Sequence, residues 1–158
     1  MEKEYLLGID IGNTKMAFGL VRGDEKQFYE KRVVPTDPQL GVEQAVEKVV
    51  SSSRELLMTV PDGVRGIGIA FGGLVDATRS IALASPNFPG WRDVPLLALV
   101  QDLAPGVPVR MDNDANVAGV GEVTYGRAQG HSQVIYLTVS TGIGGAVLYD
   151  GNPLAGSQ

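Results

Sequence analysis

Hydrophobic residues along this chain follow first a period of two and then a period of three to four. Two short apolar runs, at residues 5–11 and 16–21, and a more polar segment at 27–33 that contains two aromatic residues and a valine are separated by turns rich in Gly, Asn and Asp. Such runs predict strands, and connections this short predict an antiparallel meander. Between residues 38 and 57 the apolar residues recur every three or four positions, which predicts an amphipathic helix.

Strands and helices alternate over the remainder of the chain. The patterns predict strands at 64–70, 80–84, 107–111, 133–139 and 146–149. They predict one helix at 95–103 and another that begins within 112–116 and ends near residue 125. A meander followed by alternating strands and helices predicts an α/β fold, with a mixed sheet and flanking helices.

Two segments of the chain resemble each other. Both "YLLGIDIGNTKMAFGLVRGD" and "YLTVSTGIGGAVLYDG" consist of an apolar strand, a Gly/Thr turn, a second apolar strand and an Asp/Gly turn. An internal repeat of this length indicates two related lobes that begin with the same hairpin. We therefore predict a first lobe at residues 1–130 and the opening hairpin of a second lobe at 131–158. The chain is expected to be the amino-terminal part of a longer protein.

Composition and charge limit which classes of binding partner and which cellular location are expected. The 158 residues carry a formal net charge of −5 and no basic stripe, which argues against nucleic acid. No apolar run is long enough to span a membrane, and the N-terminus does not resemble a signal peptide. Because the sequence also contains no cysteine, a cytoplasmic protein is expected.

The first turn has the residue types of a phosphate-binding site. Backbone N–H groups and one hydroxyl can face an anion there, and the carboxylate that ends the preceding strand can hold Mg²⁺ directly or through water. The candidates are Asp10, Gly12, Asn13, Thr14 and Lys15. Asn13 is expected at positive φ, which Asn tolerates better than most residues. A plain β-hairpin turn is the alternative for this segment taken alone.

A second turn, at residues 140–145, repeats the pattern of the first. It follows another apolar strand and supplies Thr141, Gly142, Gly144 and Gly145. Two such turns in one chain predict a nucleotide cleft between two lobes.

Four polar residues crowd the segment "MDNDAN", where a strand is predicted to meet a helix. Helix capping explains one or two of them. A carboxylate at the end of a strand, facing a cleft, could accept a proton from a hydroxyl. Asn113 can donate and accept hydrogen bonds at once, which suits recognition of neighbouring hydroxyl groups.

Together, five segments resemble in order the ROK family of sugar kinases, part of the actin-like ATPase and sugar-kinase superfamily. They are "GIDIGNTK", "GIGIAFGGLVD", "SPNFPGW", "VPVRMDNDANVAGVGE" and "YLTVSTGIGGAVLYDG". The resemblance implies an actin-like ATPase (ribonuclease H-like) fold with two lobes that close over sugar and ATP. It implies a glucokinase-like enzyme that transfers the γ-phosphoryl group of MgATP to a hexose hydroxyl, and a homo-oligomer, a dimer, is expected.

The resemblance also implies roles for the two turns. Residues 8–15 and 140–147 resemble the ATP phosphate segments, and Asp10 the carboxylate of the Mg²⁺–phosphate site. The adenine pocket, a Glu and His sugar clamp and a structural zinc motif would lie beyond Gln158. Zinc is therefore not predicted within these residues, and the chain alone is expected to be inactive.

On the sugar side, the resemblance implies that Asp114 is the catalytic base and that Asn113, Gly73 and Asn87 contact the substrate. Two alternatives stay open. One is a non-catalytic, sugar-sensing ROK regulator. The other is a type III pantothenate kinase, which "DIGNT" resembles because Asn13 stands where ROK proteins usually have Gly.

Overall fold

The computed structural model of the chain describes residues 5–23, 27–76, 81–85, 88–139 and 142–154. The strands within them are β1 (Tyr5–Ile11), β2 (Lys15–Arg22), β3 (Phe28–Pro35), β4 (Val64–Phe71), β5 (Leu74–Asp76), β6 (Ile81–Ala84), β7 (Arg92–Val94), β8 (Val109–Asn113), β9 (Gln133–Val139), β10 (Ile143–Tyr149) and β11 (Asn152–Pro153). The helices are α1 (Gly41–Met58), α2 (Leu96–Gln101) and α3 (Asp114–Tyr125), and a 3₁₀ turn at Pro38–Leu40 precedes α1.

A five-stranded sheet in the order β3-β2-β1-β4-β8 organises the first part of the chain. β1, β2 and β3 form the predicted antiparallel meander, whereas β4 pairs with β1 in parallel. The predicted α/β fold with a mixed sheet is therefore confirmed. Because β1 and β4 run in the same direction, their carboxyl ends lie at the same edge of the sheet.

The two faces of this sheet differ in the size and polarity of their side chains. Leu7, Ile9 and Ile11 of β1 are buried in the core, while the alternate residues Gly8 and Asp10 are exposed on the opposite face. α1 covers the core face with a buried stripe that includes Val49 and Leu56. The sheet therefore has one packed face and one face on which Asp10 is accessible.

Three strands depart from the predicted pattern. β5 and β7, each of three residues, pair on either side of β6 in a small antiparallel sheet and were not predicted. A run of three residues is too short to show a period, so pairing with β6 defines these strands. β10 begins at Ile143 rather than at Ala146, which places Gly144 and Gly145 in a strand rather than in the turn.

The chain divides into two compact units, residues 1–112 and 113–158. The predicted lobe boundary lay after residue 130. In the second unit α3 packs on the sheet β11-β10-β9, and Gly119 lies where an added Cβ would contact Leu148. Packing of this kind depends on tertiary contacts, which chain order alone does not reveal. Within the described residues, no helix combines the length and the apolar character that a membrane crossing requires.

Candidate functional site

The turn between β1 and β2 has Asn13 and Thr14 as its two central residues. The Gly12 N–H donates to the Lys15 carbonyl oxygen at 3.1 Å, which closes the hairpin around Asn13 and Thr14. Neither central residue has positive φ, so the expectation of positive φ at Asn13 is wrong. The turn therefore differs from the primed turns that favour two-residue hairpins. Within the described residues, the N–H groups of Asn13 and Thr14 have no hydrogen-bond partner.

Thr36, which follows β3, holds this turn in place. Its hydroxyl donates to the Gly12 carbonyl oxygen at 2.6 Å, and its N–H donates to the Thr14 carbonyl oxygen at 3.1 Å. Thr36 is buried, so both hydrogen bonds are shielded from water. The carbonyl groups of Gly12 and Thr14 therefore point toward Thr36, at the end of β3. The N–H groups of Asn13 and Thr14 are left to interact with a ligand, as in anion-binding backbone sites.

Asp10 lies on the accessible face of the sheet, next to this turn. Its neighbours across the sheet are Ala17 on β2 and Ala70 on β4, whose side chains are small. Within the described residues, no three carboxylate, His or Cys side chains converge as an all-protein metal cage. Mg²⁺ beside a nucleotide needs only one or two carboxylates, because phosphates and water supply the other ligands. Asp10 fits that kind of site.

The carboxyl end of β4 meets the first turn. The Gly72 N–H donates to the Ile11 carbonyl oxygen at 2.9 Å, which extends the pairing of β4 and β1 beyond the strand. The Ser85 hydroxyl lies 3.1 Å from the Gly72 carbonyl oxygen and 3.4 Å from Oδ1 of Asn13. The side chain of Asn13 therefore links the turn to the segment that leaves β4.

Position 73 requires glycine because the backbone there lies very close to the backbone of Ala84 and Ser85. A Cβ at this position would collide with the Ala84 carbonyl oxygen and would lie 3.0 Å from Cα of Ser85. Beside it, the buried Trp91 ring packs against Phe71 and Phe88, with ring centroids 5.0 and 5.2 Å away. These contacts fix the segment containing Phe88 and Trp91 at the end of β4, near Gly73. Asn87 lies outside the described residues.

Asn113 and Asp114 begin α3. Oδ1 of Asn113 accepts a hydrogen bond from the Ala115 N–H at 3.0 Å, so Asn113 is the N-cap. Oδ1 of Asp114 approaches the same N–H at 2.8 Å. Oδ2 of Asp114, which is half-buried, has no hydrogen-bond partner in the part of the chain that the structure describes. Asp114 therefore has one carboxylate oxygen oriented by the helix and another available as an acceptor.

The second glycine-rich segment lies mainly in β10. A Cβ at Gly145 would lie 2.8 Å from the Tyr136 carbonyl oxygen, and one at Gly144 would lie 3.1 Å from the Thr138 side chain. Close packing against β9 thus explains both glycines. Gly142 precedes the strand, and Thr141 lies outside the described residues.

The contacts of α3 with β10 define the direction of the helix. Gly119 in the middle of α3 contacts Leu148, and Val123 lies near Gly151, the residue that follows β10 and its turn. α3 therefore runs in the same direction as β10.

Comparison with known proteins identifies the family. A family model described as "ROK family" matches residues 6–158. This chain belongs to the ROK family. It is 39% identical to a glucokinase from Thermotoga maritima over 160 residues, covering 99% of this chain and 48% of the glucokinase. It is 41% identical to a xylose repressor from Bacillus subtilis over 88 residues, covering 56% of this chain and 22% of the repressor.

A solved ROK structure shows the same fold. The ROK glucokinase from Streptomyces griseus in complex with glucose and AMPPNP superposes with a TM-score of 0.80 and 34% identity. The match covers 97% of this chain and 47% of that structure. The predicted actin-like ATPase fold is thereby confirmed. The chain spans about half the length of these full-length ROK kinases.

Two residues of this ROK chain that shape the site were not among the predicted candidates. Thr36 binds the first turn and Ser85 contacts Asn13. Thr36 lies 22 or more residues beyond the turn along the chain. No local pattern marks such a contact, because it exists only once β3 pairs with β2.

Proposed function

We propose that this chain supplies the phosphate-binding turn and the catalytic base of an ATP-dependent hexose kinase of the glucokinase type. The whole protein would transfer the γ-phosphoryl group of MgATP to a sugar hydroxyl. The observation that carries the proposal is Asp114 at the first position of α3, with Oδ1 oriented by the helix and Oδ2 available. Membership of the ROK family and 39% identity to a glucokinase support it.

In this mechanism Asp114 orients the sugar hydroxyl and accepts its proton as the hydroxyl oxygen attacks the γ-phosphorus. The bond between the γ-phosphorus and the β–γ bridging oxygen breaks, and ADP leaves. Phosphoryl transfer depends mainly on positioning and charge stabilisation, so a weak base is sufficient. Asn113 would contact a neighbouring hydroxyl through its amide, while its Oδ1 caps the helix. Gly73 and Asn87 are proposed to line the sugar side.

The nucleotide phosphates would bind at the first turn. The N–H groups of Asn13 and Thr14 and the exposed side chains of Thr14 and Lys15 would contact phosphate oxygens. Gly12 contributes by closing the hairpin rather than by donating to phosphate, because its N–H is bound to Lys15.

The second glycine-rich segment is proposed as the other phosphate-binding element, through residues Thr141, Gly142, Gly144 and Gly145. Asp10 would hold Mg²⁺, which would neutralise phosphate charge when bound. ATP and a hexose are the proposed ligands and a homodimer the proposed assembly. The cytoplasm, where ATP is available, is the proposed location.

A chimaera tests the proposal. In it, this chain replaces the matching half of the Thermotoga maritima glucokinase, and phosphoryl transfer from ATP is measured over a panel of hexoses. We expect turnover with at least one hexose and a fall of about 100-fold or more in kcat for Asp114→Asn. Asp102→Asn, at the end of α2, is the control and should leave kcat unchanged. Equal turnover in the chimaera and its Asp114→Asn variant would contradict the assignment.

A sugar-sensing regulator is the second candidate function. The observation that favours it is the 41% identity to a xylose repressor over 88 residues. A sensor would bind sugar without turning over ATP. Isothermal titration of the same hexose panel against the same chimaera distinguishes the two: binding with no phosphate transfer to any hexose favours the sensor.

A further inference from the structure

The side-chain amide of Asn13 has its oxygen in contact with another residue and its nitrogen without a partner. Oδ1 lies 3.4 Å from the Ser85 hydroxyl, which arrives from 72 residues further along the chain. Nδ2, which carries two protons, has no hydrogen-bond partner in the part of the chain that the structure describes. Because Asn13 is only half-buried, a ligand can reach this donor.

The Ser85 hydroxyl has two acceptors within reach but only one proton. It lies 3.1 Å from the Gly72 carbonyl oxygen and 3.4 Å from Oδ1 of Asn13. When the proton is donated to Oδ1, Nδ2 is directed away from Ser85. When the proton is donated to Gly72, the Ser85 oxygen is an acceptor, and it favours an amide turned over so that Nδ2 faces it. The proton of Ser85 and the orientation of the Asn13 amide are therefore linked.

An anion at the first turn distinguishes between these two arrangements. The N–H groups of Asn13 and Thr14 also have no partner within the described residues. An anion that they hold is repelled by Oδ1 and attracted by the protons of Nδ2. It therefore favours the arrangement in which Ser85 donates to Oδ1. Nδ2 belongs to the same residue as one of the N–H groups, so different oxygens of one phosphate group can accept from both donors.

We infer that the side-chain amide of Asn13 is a third phosphate donor of the first turn and that Ser85 is the residue that positions it. The inference rests on the proposed function, which puts the ATP phosphates at this turn. It adds a side-chain donor to the two N–H groups and gives the Ser85 hydroxyl a role in nucleotide binding. A glycine at position 13 offers an anion only its N–H, so the additional donor is a property of the asparagine in this chain.

Nuclear magnetic resonance tests the donor directly and without enzyme activity. The 158-residue chain, labelled with ¹⁵N, is titrated with inorganic tripolyphosphate in the presence of Mg²⁺. We expect the backbone N–H signals of Asn13 and Thr14 and the side-chain amide signal of Asn13 to shift together with one midpoint. The Asn13→Ala variant assigns the side-chain signal by its loss. The side-chain amide of Asn152, which donates to the Asp150 carbonyl oxygen in another turn, is the internal control and should not shift.

Substitutions measure what the donor and its positioning residue contribute. Asn13→Ala should weaken tripolyphosphate binding by about 10-fold or more, because it removes a hydrogen bond to a charged group. Ser85→Ala should weaken it by roughly threefold, and Ser85→Thr, which retains the hydroxyl, should restore it. Ser51→Ala removes a hydroxyl bound to the Lys48 carbonyl oxygen on α1 and is the matched control, with no change in affinity expected.

A double-mutant cycle separates positioning from a general structural effect. If Ser85 acts through Asn13, Ser85→Ala should have no further effect on tripolyphosphate binding in the Asn13→Ala chain. A serine that only stabilises the segment after β6 would weaken binding equally in both backgrounds. Additive losses would therefore overturn the role of Ser85.

The remaining outcomes distinguish this inference from the proposed function. Shifts of both backbone N–H signals without a shift of the Asn13 side-chain signal would overturn the inference and leave the phosphate-binding turn in place. No shift of any of the three signals would contradict phosphate binding at this turn, and the inference with it. Absence of hexose phosphorylation by the chimaera would leave all these binding measurements unaffected.

Discussion

The buried hydroxyl of Thr36 donates a hydrogen bond of 2.6 Å to the Gly12 carbonyl oxygen, across 24 residues of chain. This contact ties the end of β3 to the turn between β1 and β2. Because the Thr36 N–H also binds the Thr14 carbonyl oxygen, one residue determines which way the carbonyl groups of the turn point. The N–H groups proposed to bind phosphate depend on that orientation.

Removing the Thr36 hydroxyl should destabilise the protein. Thr36→Val keeps the branched shape and leaves the Gly12 carbonyl without this donor, at a cost of about 1–3 kcal/mol in the free energy of unfolding. Urea denaturation measures it. Thr59→Val, which removes a hydroxyl bound to the Leu56 carbonyl oxygen at an exposed residue, is the control and should cost less. Equal losses in the two variants would show that the turn does not depend on Thr36.

Asn13→Gly should destabilise the turn rather than relax it. Asn13 does not have positive φ, so glycine relieves no strain and adds about 0.5–1 kcal/mol of backbone entropy cost. Asp150, with φ of 46°, provides the opposite case, and Asp150→Gly should be neutral or stabilising. Thermal unfolding of both variants measures the difference. A higher melting temperature for Asn13→Gly would contradict the observed turn.

Gly73→Ala should disturb the junction between β4 and Ser85. The added methyl group would collide with the Ala84 carbonyl oxygen, and overpacking of this kind costs about 1–3 kcal/mol. Gly68→Ala, in the same segment of chain but with open space around its Cβ, should be neutral or slightly stabilising. Chemical denaturation compares them, and similar stabilities for the two variants would exclude a close approach at Gly73.

The start of α3 should depend on the cap that Asn113 provides. Asn113→Ala removes one of the two side-chain acceptors of the Ala115 N–H and should cost about 1 kcal/mol, whereas Asn113→Asp retains an acceptor at the cap and should cost little. Stability curves from circular dichroism separate the two. If Asn113→Asp were as destabilising as Asn113→Ala, the cap would not be the source of the loss.

Ser53→Ala should stabilise the first unit. Ser53 is fully buried in α1, and its hydroxyl has no hydrogen-bond partner among the described residues. Alanine removes the unsatisfied group and has a higher helix propensity, so a gain of about 1 kcal/mol is expected. Ser51→Ala loses a hydrogen bond to the Lys48 carbonyl oxygen and is the control, with a smaller change expected. A loss of stability in Ser53→Ala would reveal a partner for that hydroxyl.

Local pattern was sufficient to predict most of the elements. The predicted bounds of β1 and β9 agree with the structure because each is an apolar run that ends at a turn. α1 begins three residues later than predicted, at Gly41, since Pro38 to Leu40 form a 3₁₀ turn. The strands β5 and β7 were missed because three residues carry no period.

By itself, the sequence determined the α/β class, the meander and the family motifs, which follow from periodicity and residue type and are local properties. The choice of Asp114 as candidate base came from the resemblance that those motifs carry. Tertiary structure alone decided that Thr36 holds the first turn, that Ser85 contacts Asn13, that α3 packs with β9 and β10, and that Leu137 and Val147 are exposed. Each of these depends on which distant segments pair. Pairing is set by the packing of the whole sheet and not by any short stretch of chain.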